Sequence, residues 1–250
     1  WLEKTKNGVC MSEILFCGDM HGKREHLVSA TQWREAGAVI LLGDIDAPEM
    51  LDKWLPQIAN LYFVHGIHDT DNPSAHDHLF GSQLADRNLH GRVVEIAGVR
   101  VAGLGGVFRE KIWMPPGPRH WETRVDYLRC CGKGNRWRGG MPLRHRSTIF
   151  PEDVDRLAKL RADVLVTHEA PSCHPNGNEM IDLLAAAMGV EVVFHGHQHD
   201  RLDYSIWTAK TGIRAHGVGM RGITDIEGNV VVAGELDEQR KFRQGKRKYE

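Results

Sequence analysis

One local pattern constrains this chain more than any other: a short apolar run that stops at Gly, Asp or His. Residues 14–17 stop at Gly18-Asp19, residues 39–42 at Gly43-Asp44, and residues 61–64 at His65-Gly66. Residues 164–166 stop at Thr167-His168, and residues 192–194 at His195-Gly196. Runs this short and uniformly apolar read as strands buried on both faces. Between the first three lie two helical patterns. Residues 23–35 carry Leu27, Ala30 and Trp33 at helical spacing, and residues 48–55 place Pro48 in a first turn. Strands alternating with helices predict a mostly parallel sheet with helices covering it.

The later half mixes signals. Residues 92–96 and 99–102 flank Ala97-Gly98, the chemistry of a tight hairpin. Residues 151–160 and 179–188 are helical, with Gly189 placed as a C-terminal cap. Residues 204–208, 213–218, 223–226 and 230–233 read as antiparallel strands, with Glu227-Gly228-Asn229 as the last turn. A length of 250 residues suits one sizeable α/β domain, set at 11–235. Within it, 109–146 is a basic insertion, and 236–250 is a charged tail.

In open α/β sheets, ligands bind outside the carboxyl ends of the strands. Asp19, His21, Asp44, His68, Asp69, His168, His197 and His199 all follow such ends, so they are expected to converge. Singly, each has an ordinary explanation: Asp caps turns, and a lone His packs. The histidine count of 15 matters because these side chains cluster. Carboxylate oxygen with imidazole nitrogen suits a divalent ion of the Mn, Fe, Zn or Ni type and excludes a thiolate site. Two ions about 4 Å apart would clamp a phosphate and lower the pKa of a bridging water. One carboxylate must then be shared, and Asp44 is the best candidate.

The ordered motifs Asp19-x-His21, Gly43-Asp44-x-Asp46, Gly66-Ile67-His68-Asp69, Thr167-His168 and Gly196-His197-x-His199 resemble those of the calcineurin-like metallophosphoesterases. The resemblance runs from residue 14 to about residue 233, with the basic segment as an insertion. It implies an α/β fold, a β-sandwich flanked by α-helices, and hydrolysis of a phosphate ester by a metal-activated hydroxide. It also implies a first metal on Asp19, His21, Asp44 and His199, and a second on Asp44, His168 and His197. His68 would be the general acid facing the leaving group, and Asp69 would orient it. Two departures stand out. Asp46 falls one residue early, with little consequence expected. Ile67 replaces an Asn ligand, so the second site loses a donor that water, Asn72 or Asp71 would have to supply. That loss sustains an alternative, a weak or inactive scaffold or a nucleic-acid-binding protein. The Asp-Arg-Gly and Arg-Gly-Asn-His-Glu of protein Ser/Thr phosphatases are missing: Asp46-Ala47-Pro48 and His65 to Asp69 stand there. The resemblance therefore points to phosphodiesters or nucleotides.

His65 could reach the centre as a phosphate-binding group, and His174, His195 and His216 are similar cases. His76-Asp77-His78 reads as a solvated loop. The insertion holds ten Lys and Arg, Arg109 first among them, against Glu110, Glu122 and Asp126. Trp113, Trp121 and Trp137 are interleaved. Arg binds phosphate bidentately and Trp stacks on bases, so one reading is a cap that brings a nucleotide or nucleic acid to the metals, with Arg109 as a substrate contact. The plainer reading is an Arg-rich loop whose tryptophans pack on the core. The net charge of -1 keeps any such field local.

The five cysteines are odd in number and irregular in spacing, which fits reduced thiols in a cytoplasmic protein. Cys130-Cys131 has no assigned function. No apolar run could span a bilayer, the polar first ten residues lack a signal-peptide core, and Met11 is a candidate start. The expected partner is a phosphate-ester substrate, with neither a membrane nor a protein partner.

Overall fold

The computed structural model describes residues 13–240, together with the backbone of two short paired strands, β1 (Thr5–Lys6) and β2 (Val9–Cys10). Met11 and residues 241–250 lie outside the described residues.

Two five-stranded sheets face each other. In the first, β3 (Ile14–Cys17), β4 (Ala38–Leu41) and β5 (Leu61–Phe63) run parallel. β11 (Ile223–Asp225) joins β3 antiparallel, and β12 (Val230–Val232) closes that edge. In the second sheet, β7 (Val99–Leu104), β8 (Val164–Thr167), β9 (Val192–His195) and β10 (Arg214–Gly217) run parallel. β6 (Arg92–Ile96) pairs antiparallel with β7 through the expected hairpin, where Ala97 and Gly98 take φ of 49° and 80°.

Side chains alternate across each strand, so every apolar run serves two cores. Ile14 and Phe16 point between the sheets, with Ile40, Val101, Val166 and Phe194. The rings of Phe16 and Phe194 stack with centroids 3.8 Å apart, which locks the sheets face to face. Leu15, Cys17, Val39 and Leu41 point outward. There they meet α1 (Glu25–Arg34), α2 (Leu51–Trp54) and α3 (Pro73–Phe80) through Leu27, Leu51, Trp54 and Leu79. The second sheet is covered by α4 (Arg124–Cys130), α5 (Pro151–Leu157) and α6 (Glu179–Met188). Ile181, Leu184, Ala185 and Met188 form the buried stripe of α6, and Gly189 at φ 69° ends it. The result is the β-sandwich flanked by helices that the motifs implied.

Three expectations fail. Residues 204–208 are not a strand but enter α7 (Ser205–Thr211). Ile206, Trp207 and Thr208 favour a strand by composition. Tertiary anchoring overrides them: Trp207 Nε1 donates to Asp182 Oδ2 of α6 at 3.2 Å, and Gly212 at φ 75° ends the helix. With a helix there, β9, α7 and β10 form a crossover unit, so β10 lies parallel to β9 rather than antiparallel. His76-Asp77-His78 is not a solvated loop. It lies in α3, started by the Asn72 side chain accepting from Ala75 N, with His76 buried against Phe80 and Trp137. Of the charged tail, 237–240 is a helical turn, in which buried Asp237 accepts from Gly234 N at 2.8 Å.

The insertion packs over the second sheet. Trp113 and Tyr127 join its outer core, and Trp121 packs edge-on against Tyr127. Its most buried link is Arg124, whose Nη1 and Nη2 donate to Asp153 Oδ1 and Oδ2 at 2.7 and 2.8 Å. Asp153 is fully buried and also accepts from Phe150 N at the start of α5. Burial opposes its ionisation, but His90 and Arg124 hold its carboxyl well below the usual range. Removing one partner of a buried pair strands the other charge, so Asp153→Ala is expected to cost about 3 kcal/mol or more. Because the folded-state pKa is depressed, the contribution is present above the ordinary carboxylate value of about 4 and is lost as pH falls below it. Chemical denaturation at pH 7 and pH 3 checks this: a variant as stable as the parent at pH 7 would show that the pair contributes nothing.

Candidate metal centre

The carboxyl ends of both sheets open at the same edge of the sandwich. There the loops after β3, β4, β5, β8 and β9 are stitched together by backbone hydrogen bonds. His21 N donates to Asp44 O at 3.0 Å, and Gly22 N to Ile45 O at 3.0 Å. The His197 backbone N–H donates to both oxygens of Asp19 at 3.0 Å. Two glycines allow the close approach. A Cβ on Gly43, at φ 98°, would fall 2.4 Å from His168 Nδ1, and one on Gly66 would fall 2.2 Å from Asp44 Oδ1. Asp19, His21, Asp44, His197 and His199 all have positive φ, a strain that non-glycine residues bear where a site demands it.

The structure brings all six expected ligands together as two groups. Asp19, His21, Asp44 and His199 offer donor atoms within 4.8 Å of one another, and so do Asp44, His168 and His197. Asp44 belongs to both. Within the first group, His21 Nε2 and His199 Nε2 are 3.2 Å apart. In the second, His168 Nδ1 is tied to Leu42 O at 2.8 Å, which turns Nε2 toward Asp44 Oδ2 at 3.4 Å. That Nε2 is fully buried and has no hydrogen-bond partner. A buried imidazole nitrogen oriented from behind, with a carboxylate nearby but no hydrogen bond in front, is the arrangement of a metal ligand.

The electrostatics agree. Burial pushes the Asp19 carboxyl up to about 7, with His168 opposing and Asp44 adding to the rise. Burial also resists ionisation of Asp44, but His168 beside it holds its carboxyl well below the usual range. Burial, reinforced by neighbouring positive groups, pushes the His197 and His199 imidazoles down to about 4, so their lone pairs are free at neutral pH. Against its burial, the carboxylates in turn raise His168 to about 10, and Asp46 raises His21, so two imidazoles carry protons at the place where a cation would take over their role. The residues present therefore fit divalent ions of the expected type.

His68 stands at the rim. Its side chain is 48% exposed, in contrast to 2% for Asp44, and its backbone N–H donates to Asp44 Oδ1 at 2.9 Å. The orienting partner differs from the expected one. Asp71 Oδ2 lies 2.7 Å from His68 Nδ1. Asp69 is buried instead beneath the loops, where it accepts from Ile45 N, Asp46 N and Gly66 N. Its role in the structure is to hold the loops after β4 and β5 in register. The cause is local geometry: residues 68–70 form a 3-10 turn, which sets i and i+3 on one side.

Two other expectations change. Asp46, expected to matter little, places Oδ2 2.8 Å from His21 Nδ1 and so fixes the face that His21 turns to the centre. Such outer partners are worth about 10–100-fold in metal affinity, so Asp46→Ala is expected to weaken the first site by that factor. A Mn²⁺ titration followed by calorimetry measures it, and unaltered affinity would reduce the contact to packing. Neither proposed substitute for the lost Asn reaches the second group, because Asn72 caps α3 and Asp71 holds His68. Ile67 itself is half-buried.

His65 is sealed beneath the site, against Asn88 and His90. His195 is buried on Tyr204, His174 faces Asp200, and His216 stacks on Phe194. Arg109 is fixed by Thr148 and Ser147, on the side of the centre where His68 lies. Among the described residues, no cysteine is bridged and no helix is long and apolar enough to cross a membrane.

Comparison with known proteins agrees with this geometry. A protein of Haemophilus influenzae (strain ATCC 51907 / DSM 11121 / KW20 / Rd), described as uncharacterized, is 44% identical over 221 residues, spanning 88% of this chain and 96% of that one. The solved structure of TT1561 of Thermus thermophilus shares the fold, with a TM-score of 0.54, 14% identity, and coverage of 90% of this chain and 99% of that chain. The calcineurin-like phosphoesterase family matches residues 12–201, the stretch that holds every one of these ligands. Fold, ligand order and sequence thus converge, and the chain belongs to the calcineurin-like phosphoesterase family.

Proposed function

We propose that this protein hydrolyses phosphate esters, with phosphodiesters or nucleotide esters preferred, using two divalent cations. The observation that carries the reading is the pair of ligand groups sharing Asp44, with the partnerless His168 Nε2 facing inward and His68 exposed at the rim. The family is one of metal-dependent phosphoester hydrolases, and the donor set here fits that chemistry. Asp19, His21, Asp44 and His199 would hold one ion, and Asp44, His168 and His197 the other. When bound, such ions polarise the phosphoryl group and activate water as the nucleophile.

The chain's own groups do the rest. His68 donates a proton to the leaving oxygen through Nε2, while Asp71 fixes the ring through Nδ1. Asp69 keeps the His68 turn against the Asp44 loop through its three backbone contacts. Arg109, anchored by two hydroxyls, offers a cation to the substrate beside His68.

The specific observation that favours a second reading, a weak or inactive scaffold, is Ile67 beside a second site of three protein ligands. Catalytic sites often keep open positions, so three ligands suffice for function at a cost in affinity. The test is hydrolysis of bis(4-nitrophenyl) phosphate as Mn²⁺ is raised. Activity is expected to climb beyond the Mn²⁺ level that fills the first site. Ile67→Asn is expected to tighten the second site by about 10-fold or more and to raise activity at low Mn²⁺. If neither the parent nor Ile67→Asn hydrolyses the ester at any Mn²⁺ concentration, the scaffold reading replaces the enzyme.

A further inference from the structure

The cations of the basic insertion are not equivalent. Four are neutralised: Arg119 by Asp155, Arg124 by Asp153, Arg129 by Asp126, and Arg138 by Asp77. These arginines tie the insertion together and to the body of the protein, and have no charge to spare for a ligand. The other six have no ion-pair partner among the described residues, and Arg109, Lys111 and Arg144 stand together among them. They form one positive patch: Arg109 and Arg144 act on each other, and Lys111, Arg109 and Arg144 together, after burial, depress the nearby His145.

The patch adjoins the centre. Arg144 lies in the 3-10 turn Leu143–Ser147, and that turn is bonded to the His68 turn through Ser147 Oγ and Thr70 Oγ1 at 2.7 Å. Arg109 Nη2 donates to the same Ser147 Oγ at 3.0 Å, and its Nε to Thr148 Oγ1 at 3.0 Å. Two of its three guanidinium nitrogens are thus committed, which aims the third and lowers the entropy lost on binding. Arg109 also feels the charges of Asp71, Glu169 and Asp44, of which Asp71 holds His68 and Asp44 belongs to both ligand groups. Arg144 is accessible to solvent.

We infer that the Arg109–Arg144 patch binds a second phosphate group of the substrate, which makes the preferred substrates phosphoesters that carry two phosphates. The inference rests on the hydrolase reading above. It concerns the outer arm of the substrate and leaves the chemistry at the metals unchanged. The second phosphate can stand directly beside the first, as in a nucleoside diphosphate, or across a sugar, as in a 3′,5′-bisphosphate, and the test separates the two.

The experiment compares the 4-nitrophenyl ester of thymidine 5′-phosphate with the same ester bearing a 3′-phosphate. Both release 4-nitrophenol, so the chemical step is held constant. Adenosine 5′-diphosphate and thymidine 3′,5′-bisphosphate are compared with their monophosphates as competitive inhibitors. A second phosphate is expected to improve kcat/KM or inhibition by about tenfold, mainly through KM or Ki. Arg144→Gln is expected to remove most of that advantage, with the smaller loss on the ester that lacks the second phosphate. Whichever inhibitor gains more reports the spacing. No gain from a second phosphate in either the esters or the inhibitors, or a gain untouched in Arg144→Gln, would overturn the inference and leave the hydrolase reading intact. Hydrolysis of neither ester at any Mn²⁺ concentration would overturn the hydrolase reading and the inference with it.

Discussion

Asp44→Asn is expected to reduce turnover by about 10³-fold or more, the largest effect of any single ligand change. The carboxylate is 2% exposed and belongs to both ligand groups. Oδ1 accepts from His68 N, and Oδ2 faces His168 Nε2. Asn keeps the shape and can keep the contact to His68 N through its carbonyl oxygen. It loses the negative charge and one acceptor, and an amide nitrogen would be turned toward a cation or toward His168. Metal ions contribute several kcal/mol to the stabilisation of charge in the transition state, and about 4 kcal/mol corresponds to 10³-fold. Weaker sharing at either group removes most of that. Elemental analysis should show lower metal content, and circular dichroism should show the fold retained. Turnover within about tenfold of the parent, at full metal occupancy, would remove Asp44 from the centre.

His68→Ala is expected to behave in the opposite way with respect to metal. His68 donates its backbone N–H to Asp44, which alanine preserves, and its ring belongs to neither ligand group. Metal content should therefore stay as in the parent. Turnover should fall by about 10²–10⁴-fold on esters with poor leaving groups, the range for loss of a general acid. On 4-nitrophenyl esters the loss should be much smaller, since that leaving group departs without a proton. Equal losses on both classes would assign His68 a role in binding instead of proton donation. Asp71→Asn should reproduce part of the pattern, because the ring would lose the carboxylate at Nδ1 that fixes it.

The parallel core of the fold was legible because short apolar runs buried on two faces can be little else. Residues 14–17 appear as β3 with unchanged bounds, and the other four runs match their strands to within a residue or so at each end. The hairpin at Ala97-Gly98 was legible for a different reason, since positive φ at two successive positions restricts residue choice. The region after residue 204 was not. Ser205–Thr211 has the composition of a strand, and the bond from Trp207 to α6 holds it as a helix. The direction of β10 is not legible either, because that direction depends on what precedes the strand.

Which residues form the candidate centre is written in the order of the chain. Asp19, His21, Asp44, His168, His197 and His199 are fixed in place by the strand ends they follow, and parallel strands bring those ends to one edge. Spacing along the chain encodes that much. The partners of those residues come only from packing in three dimensions. Asp71 holds His68 because a 3-10 turn brings i and i+3 together, and Asp46 reaches His21 across 25 residues. Four arginines of the insertion are committed to ion pairs with α3, α5 and the insertion itself, while Arg109 and Arg144 stay beside the His68 turn with no ion pair among the described residues. A side chain's partner depends on direction and distance in space, and a hydrogen bond is lost over less than about 1 Å. Strand order survives errors of that size, and the identity of a partner does not.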